Sequence, residues 1–269
     1  MSEKIIPVED IHAFFDDGMT EDIRKMLIRK DKRMTPSGLY CPCCGGVQAY
    51  VDRNDVNQPC DCREQASRLA HYAYANIGEL YMRLSIEDLR DTTAKDTVIS
   101  YIDSIDDRID RGQGLLLYSQ GYGTGKTLAA SLILRKALRR QHTGYFITFS
   151  NLMQMAKDGW KSDESAKKYR EIVSTVDLLV MDDIGKEQLA VGGFSNDYAK
   201  MMFESILRDR VQRLKTTIYT SNLTAFQIQQ TYSHAVGSLL AESTQQVDFP
   251  GGDYRQTETR TVGKFGKIY

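Results

Sequence analysis

Cysteine is missing from most of this chain of 269 residues, since all five cysteines fall between Cys41 and Cys62. A disulfide framework spreads its staples, so this distribution excludes one, and a reducing compartment keeps such thiols free. Long apolar runs are missing too. The longest, around Leu115 to Tyr118 and Leu178 to Met181, fall far short of the ~18 residues a membrane-spanning helix needs. No basic start followed by an apolar stretch precedes Asp10, so no secretory signal is read, and the expected compartment is the cytoplasm with no membrane partner. Nor is there an excess of either charge: 35 Lys+Arg stand against 36 Asp+Glu, for a net charge of -1. That excludes the global basic footprint of a DNA-coating protein and leaves any nucleic-acid contact to a local patch. With 41% hydrophobic residues, wholesale disorder is excluded as well.

Three zones are present. Residues 1–66 read as an amino-terminal adaptor. It begins with two short helices whose narrow apolar faces carry Phe14, Phe15, Met26 and Leu27, and these faces either pack on the main domain or dock onto a partner. Residues 67–112 form a helical connector; from Ser85 to Arg111 it holds eight acids against four bases and reads as solvated helices. Residues 113–269 change texture to short apolar runs alternating with helical stretches. Strands are expected at Leu115 to Tyr118, Tyr145 to Phe149, Leu178 to Asp182, Thr217 to Thr220 and Gln245 to Phe249. Helices are expected near 127–141, 151–158, 164–174, 195–214 and 224–242. Such alternation predicts an α/β fold, a parallel sheet flanked by helices.

The strongest motif is Ser119-Gln120-Gly121-Tyr122-Gly123-Thr124-Gly125-Lys126-Thr127, directly after an apolar strand and before a helix. Alternating glycines let backbone amides wrap phosphate oxygens, Lys126 adds a point charge at the β and γ phosphates, and Thr127 can ligate magnesium. The usual pattern has Gly where this chain has Gln120. The expected ATP contacts are Gly121, Tyr122, Gly123, Thr124, Gly125, Lys126, Thr127 and Leu128. Downstream, the apolar strand from Leu178 ends in Asp182 and Asp183. Asp182 is the candidate magnesium acid and Asp183 the candidate base that orients the attacking water. The strand Thr217 to Ser221 ends in Asn222, a candidate neutral sensor beside the γ phosphate.

Two further clusters carry chemistry. Cys41-Pro42-Cys43-Cys44 and Cys60-Asp61-Cys62 are two close clusters, and a ligand pair from each, joined by a hairpin-length spacer, suits a closed tetrahedral zinc site. The ligands are Cys41, Cys44, Cys60 and Cys62 with Cys43 spare, or a set that pairs Cys41 with Cys43; an iron-sulfur cluster or redox thiols are the other readings. Trp160, the one tryptophan, lies among Lys157, Lys161, Lys167 and Lys168. It either stacks bases beside phosphate-pairing lysines or packs on the domain under a solvated loop.

These parts in this order resemble an AAA+ ATPase. Gly121 to Thr127, Phe149-Ser150-Asn151-Leu152-Met153, Leu178 to Gly185, Thr220-Ser221-Asn222-Leu223 and Asp253-Tyr254-Arg255 are similar to the DnaC/DnaI type of replicative helicase loader, over residues 85–269. The cysteine segment resembles the zinc-binding part of DnaI-like and phage loaders. The resemblance implies an ATPase domain that binds single-stranded DNA, in the region from Ser150 to Lys168, and assembles side by side. It also implies an amino-terminal region that grips the hexameric replicative helicase. One departure stands out. The family carries arginines between the sensor strand and the last strand, yet Thr216 to Tyr254 contains no Arg or Lys, and His234 and Ser238 lie near the expected places. An arginine finger is worth ~10³ to 10⁵ in turnover, so weak intrinsic hydrolysis is expected, unless Arg208, Arg210 or Arg213 reaches across an interface. Two other readings remain open: an ATPase of insertion-sequence transposition acting on duplex DNA and a transposase, and a nucleotide-gated helicase adaptor without efficient hydrolysis.

Overall fold

The computed structural model describes residues 49–51, 56–59, 62–186 and 196–253. The two helices expected before residue 35 lie outside the described residues, as do Cys41, Cys43, Cys44, Cys60 and Arg255. Two compact units are present, divided between Ser85 and Ile86.

In the first unit, β1 (Ala49–Val51) and β2 (Asn57–Pro59) form an antiparallel pair with Ala49 opposite Pro59 and Val51 opposite Asn57. Helices α1 (Cys62–Tyr74) and α2 (Glu79–Arg83) follow. Beyond α1, Asn76 takes the left-handed conformation at φ 60°. The Ile77 N–H then returns to the Tyr72 carbonyl at 2.9 Å, which closes the helix end as a glycine usually does. Leu69, Tyr72, Ile77 and Met82 are buried around this turn.

The second unit opens with α3 (Thr93–Asp103) and α4 (Ile105–Asp110). These were expected to be solvated, and one face of each is not. Val98, Tyr101, Ile105 and Ile109 are buried, because the acids occupy the outer face while an apolar stripe at helical spacing packs inward. Then come β3 (Gly114–Tyr118), α5 (Lys126–Arg139), β4 (Gly144–Thr148), α6 (Phe149–Asp158), α7 (Asp163–Arg170), β5 (Leu178–Ile184), α8 (Asn196–Gln212), β6 (Thr216–Ser221), α9 (Ala225–Thr231), α10 (His234–Ser243) and β7 (Thr244–Asp248). The single helix expected over 224–242 is two. Ser233 breaks it by accepting from the Val236 N–H at 3.2 Å, which makes Ser233 the N-cap of α10. The stretch expected to be helical to 174 passes from α7 into a π-helical turn, Glu171–Thr175.

The five strands run parallel in the order β4-β5-β6-β3-β7. The central strands are continuous apolar runs because helices cover both faces of the sheet. Strand β6 is the exception in composition, Thr-Thr-Ile-Tyr-Thr-Ser, yet every residue of it is buried. Its hydroxyls all have partners: Thr216 donates to the Arg108 carbonyl, Thr217 accepts from Arg210, Tyr219 bonds Thr217, Thr220 donates to Asp182, and Ser221 donates to the Ile184 carbonyl. Burying them therefore leaves no hydrogen bond unmade.

On one face of the sheet, Leu116, Leu179, Met181 and Tyr219 meet α6, α8 and α10 in a core that centres on Phe203. Phe203 packs on Phe149 at 5.3 Å and Tyr232 at 4.7 Å between ring centroids. Helix α5 packs on the sheet with Leu128, Ala129, Leu132 and Ile133 buried. No helix among the described residues is long and apolar enough to cross a membrane.

Candidate nucleotide site

The site lies where β3, β5 and β6 end. The loop from Ser119 to Gly125 leaves β3 and enters α5 at Lys126, as the motif requires. Gln120 does not prevent the turn, because Ser119, buried, accepts from the Gly121 N–H at 3.1 Å through its side chain. Gly123 and Gly125 both sit in the left-handed region, at φ 62° and 99°. Gly123 is also constrained from outside. A Cβ there would fall 1.8 Å from Oδ1 of Asp253. The chain beyond β7 is guided to this place by the Phe249 N–H bonding the Tyr118 carbonyl at 2.7 Å. Asp253 was legible only as part of a motif; its seat against the loop comes from pairing β7 beside β3.

Lys126 is buried and turns back on its own loop, with Nζ donating to the Gly121 carbonyl at 3.0 Å and to Thr124 Oγ1 at 3.4 Å. Burial, with Lys186 nearby, pulls its pKa down to about 8, against the fields of Asp183 and Asp182. An ammonium coordinated by neutral oxygens is under-compensated, and an anionic phosphate would supply the missing charge.

Across from it, Thr127 Oγ1 donates to Asp182 Oδ1 at 3.2 Å, and Thr220 Oγ1 donates to the same oxygen at 2.5 Å. Burial pushes the Asp182 carboxyl up to about 6; the fields and bonds around it, led by the Thr220 hydroxyl, partly offset one another. Among the described residues no donor is bonded to Oδ2 of Asp182. Thr127 and Asp182, picked out 55 positions apart as magnesium ligands, are thus brought into contact.

Asp183 sits on an irregularity in the β5–β6 ladder between Met181 and Ile184, and its φ is 61°. A bulge at a strand tip re-aims a side chain. Here it turns Asp183 out of the sheet, half-buried, with its N–H on Thr220 Oγ1 at 2.9 Å and its carboxylate on Lys186 Nζ at 2.6 Å. Asn222 follows β6 directly and is half-buried. Tyr122 stands at the loop's outer side, 61% exposed, and Leu128 is buried in α5. Lys186 went unnoticed in the sequence, because one lysine after an acidic strand tip carries no spacing signal.

Of the arginines considered as trans-acting groups, Arg210 is excluded. It is fully buried, with Nε on Thr217 Oγ1 at 2.7 Å, Nη1 on the Val173 carbonyl at 2.8 Å and Nη2 on the Thr216 carbonyl at 2.7 Å. Arg208 and Arg213 are half-exposed and paired along the helix with Glu204 and Asp209. His234 bonds Gln229 at 2.5 Å. Trp160, between α6 and α7, does not pack into the domain. It is 75% exposed and touches Tyr198 only edge-on, at 6.3 Å; Lys157, Lys161 and Lys167 are exposed around it. Among the zinc candidates, Cys62 opens α1 and the other three lie outside the described residues.

Comparison with known proteins accords with this geometry. Residues 62–248 match the family model described as IstB-like ATP binding protein. The replicative helicase loader DnaI of Bacillus subtilis strain 168 is 19% identical over 262 residues, covering 87% of this chain and 82% of DnaI. The crystal structure of the DnaC helicase loader superposes with a TM-score of 0.56 at 20% identity, over 64% of this chain and 100% of that one. That of DnaI gives 0.51 at 19% identity, over 66% of this chain and 93% of that one. The fold is that of the AAA+ loaders.

Proposed function

The chain belongs to the family of IstB-like ATP binding proteins, and from that premise we propose that it is an ATP-dependent loader, acting in the cytoplasm, that binds a hexameric replicative DNA helicase and delivers it onto single-stranded DNA. The observation that carries the ATP part is the meeting of Thr127 and Asp182 beside the Lys126 loop. In this reading Gly121 to Leu128 cradle the phosphates, while Thr127 and Asp182 hold magnesium, which when bound offsets phosphate charge. Asp183 orients water and Asn222 senses the γ phosphate. The loader part is supported by similarity to DnaI over 87% of the chain, more than the ATPase domain alone.

The exposed Trp160 with its lysines is the proposed single-strand platform, and the ATPase domains self-associate along the strand. Base stacking on an aromatic is worth about 1–3 kcal/mol, so Trp160→Ala should weaken single-strand binding ~10-fold or more with the melting temperature unchanged. The amino-terminal cysteines hold a structural zinc in this proposal. Four thiolates in two close clusters suit a closed zinc site. Purified protein without stoichiometric zinc removes this part.

A second reading, the transposition ATPase, is favoured by the family model itself. One experiment separates them: pull-down with the host's replicative helicase, then a strand-loading assay with and without ATP. Helicase capture with ATP-dependent loading supports the loader. Capture without loading leaves an adaptor. No capture, with a preference for duplex DNA, supports the transposition reading.

A further inference from the structure

If the site holds ATP as proposed, the triphosphate needs a second cation beside Lys126. The stretch from Thr216 to Tyr254 has no Arg or Lys, so β6 and everything after it through Tyr254 bring no lasting positive charge to the phosphates. Arg210 is committed to backbone carbonyls. The side chain that does arrive comes from the other direction, out of the turn after β5.

That turn is tightly specified. Asp183 and Gly185 both adopt left-handed conformations, at φ 61° and 90°, and a Cβ on Gly185 would meet Leu223 Cδ1 at 2.7 Å. The chain is thereby doubled back, with the Lys186 N–H 3.4 Å from the Asp183 carbonyl. The Lys186 ammonium lies 2.6 Å from Asp183 Oδ1 and 5.0 Å from the centre of the Tyr122 ring. It thus bridges the strand-tip acid and the phosphate loop. Its field reaches both Lys126 and Asp182, lowering the pKa of each.

The two contacts that hold it are weak ones. Side-chain exposures of 29% for Lys186 and 40% for Asp183 place the ion pair where such pairs contribute about 0–1 kcal/mol. Tyr122, mostly exposed, adds a cation–π contact of about 0.5–1 kcal/mol. A terminal phosphate carries more charge than one carboxylate and competes well for an ammonium held in this way.

We propose that Lys186 is a γ-phosphate ligand acting within its own chain, stored on Asp183 and Tyr122 when no nucleotide is bound. When ATP enters, the ammonium moves to the γ phosphate and Asp183 is released to orient water. Water then attacks the γ phosphorus, and the bond to the β,γ-bridging oxygen breaks. The proton of the water passes to Asp183 and on to solvent, leaving ADP and inorganic phosphate. Lys186 stabilises the charge on the transferring group, the task left open by the basic-free stretch.

The test uses the full chain and the variants Lys186→Ala, Lys186→Gln, Lys186→Arg and Lys126→Ala. Fluorescent ATP and ADP analogues are titrated in magnesium, and single-turnover hydrolysis is followed. Losing one charged ligand should weaken ATP binding about 10-fold in Lys186→Ala and Lys186→Gln, with ADP binding within about twofold and hydrolysis down about 10²-fold. Lys186→Arg should recover most of the ATP preference. Equal losses for ATP and ADP, unchanged hydrolysis, or faster hydrolysis in Lys186→Ala each overturn the proposal. If the native protein binds neither nucleotide and Lys126→Ala matches it, the ATP reading falls as well. Binding that depends on Lys126 but not on Lys186 overturns the Lys186 role alone.

Discussion

Asp182 and Arg210 are both buried charges without a directly bonded partner of opposite sign, and they sit toward opposite ends of the same sheet. Arg210, at the end where β6 begins, is saturated by Val173, Val176, Thr216 and Thr217 oxygens. Burial lowers its pKa to about 10, which leaves it charged at neutral pH. Asp182, at the end where β5 finishes, receives two hydroxyls on one oxygen only. Burial there raises the carboxyl to about 6. One charge is spent on joining α8 to the starts of β5 and β6. The other has protein donors on one carboxylate oxygen only, in a largely buried place, which raises the cost of its charge and favours a cation. Burial with full hydrogen bonding marks a structural charge, and burial with incomplete bonding beside a phosphate loop marks a functional one.

Substitutions at the two ends should therefore change stability in opposite directions. Arg210→Ala leaves several buried carbonyls unpaired at about 1–3 kcal/mol each. A loss of about 3–5 kcal/mol is expected, seen as a fall in melting temperature of roughly 10 °C or more; a small change would mean that the carbonyls find other donors. Asp182→Asn should stabilise the nucleotide-free protein by about 2 kcal/mol while abolishing hydrolysis, because the amide oxygen still accepts from Thr127 and Thr220 without the cost of a buried charge. The pH dependence has a definite sign. The folded state keeps the Asp182 proton to about pH 6 and the unfolded chain only to about 4. Native stability therefore falls as pH rises through that window. The gain from Asn is full above about 6 and fades toward 4, as melting curves across that range would show. Thr220→Val, which removes a donor to Asp182 and an acceptor for the Asp183 N–H, should cost about 1–2 kcal/mol. Thr220→Ser, keeping the hydroxyl, should stay within about 0.5 kcal/mol of the native protein.

The functional end was the more legible of the two in the sequence. Gly121 to Thr127 read as a phosphate loop because glycine spacing, strand and helix are local signals. Leu178 to Asp183 read as a strand with acids at its tip because an apolar run ending in carboxylates is local too. The structural end was not legible. Arg210 read as one of three neighbouring arginines that could reach across an interface, since nothing within a few residues of it shows that the carbonyls of 173 and 176 will gather around it. Asp183's bulge, the Lys186 return and the seat of Asp253 against Gly123 are likewise products of strand pairing. The polar strand β6 was found by its apolar centre, while the reason it can be buried, a partner for each hydroxyl, lies on other elements. Ser233, which splits the expected helix over 224–242, is a local signal that the apolar periodicity on either side masked.

The most direct test of the account is calorimetric titration of the full-length protein with ATP, with and without magnesium, in the native chain and in Asp182→Asn. If Thr127 and Asp182 hold the metal beside the Lys126 loop, magnesium should tighten ATP binding to the native protein about 10-fold or more, and the variant should lose most of that gain while still binding ATP without magnesium. Equal magnesium dependence in the two proteins would contradict the assignment of Asp182 and, with it, the distinction between the two ends of the sheet.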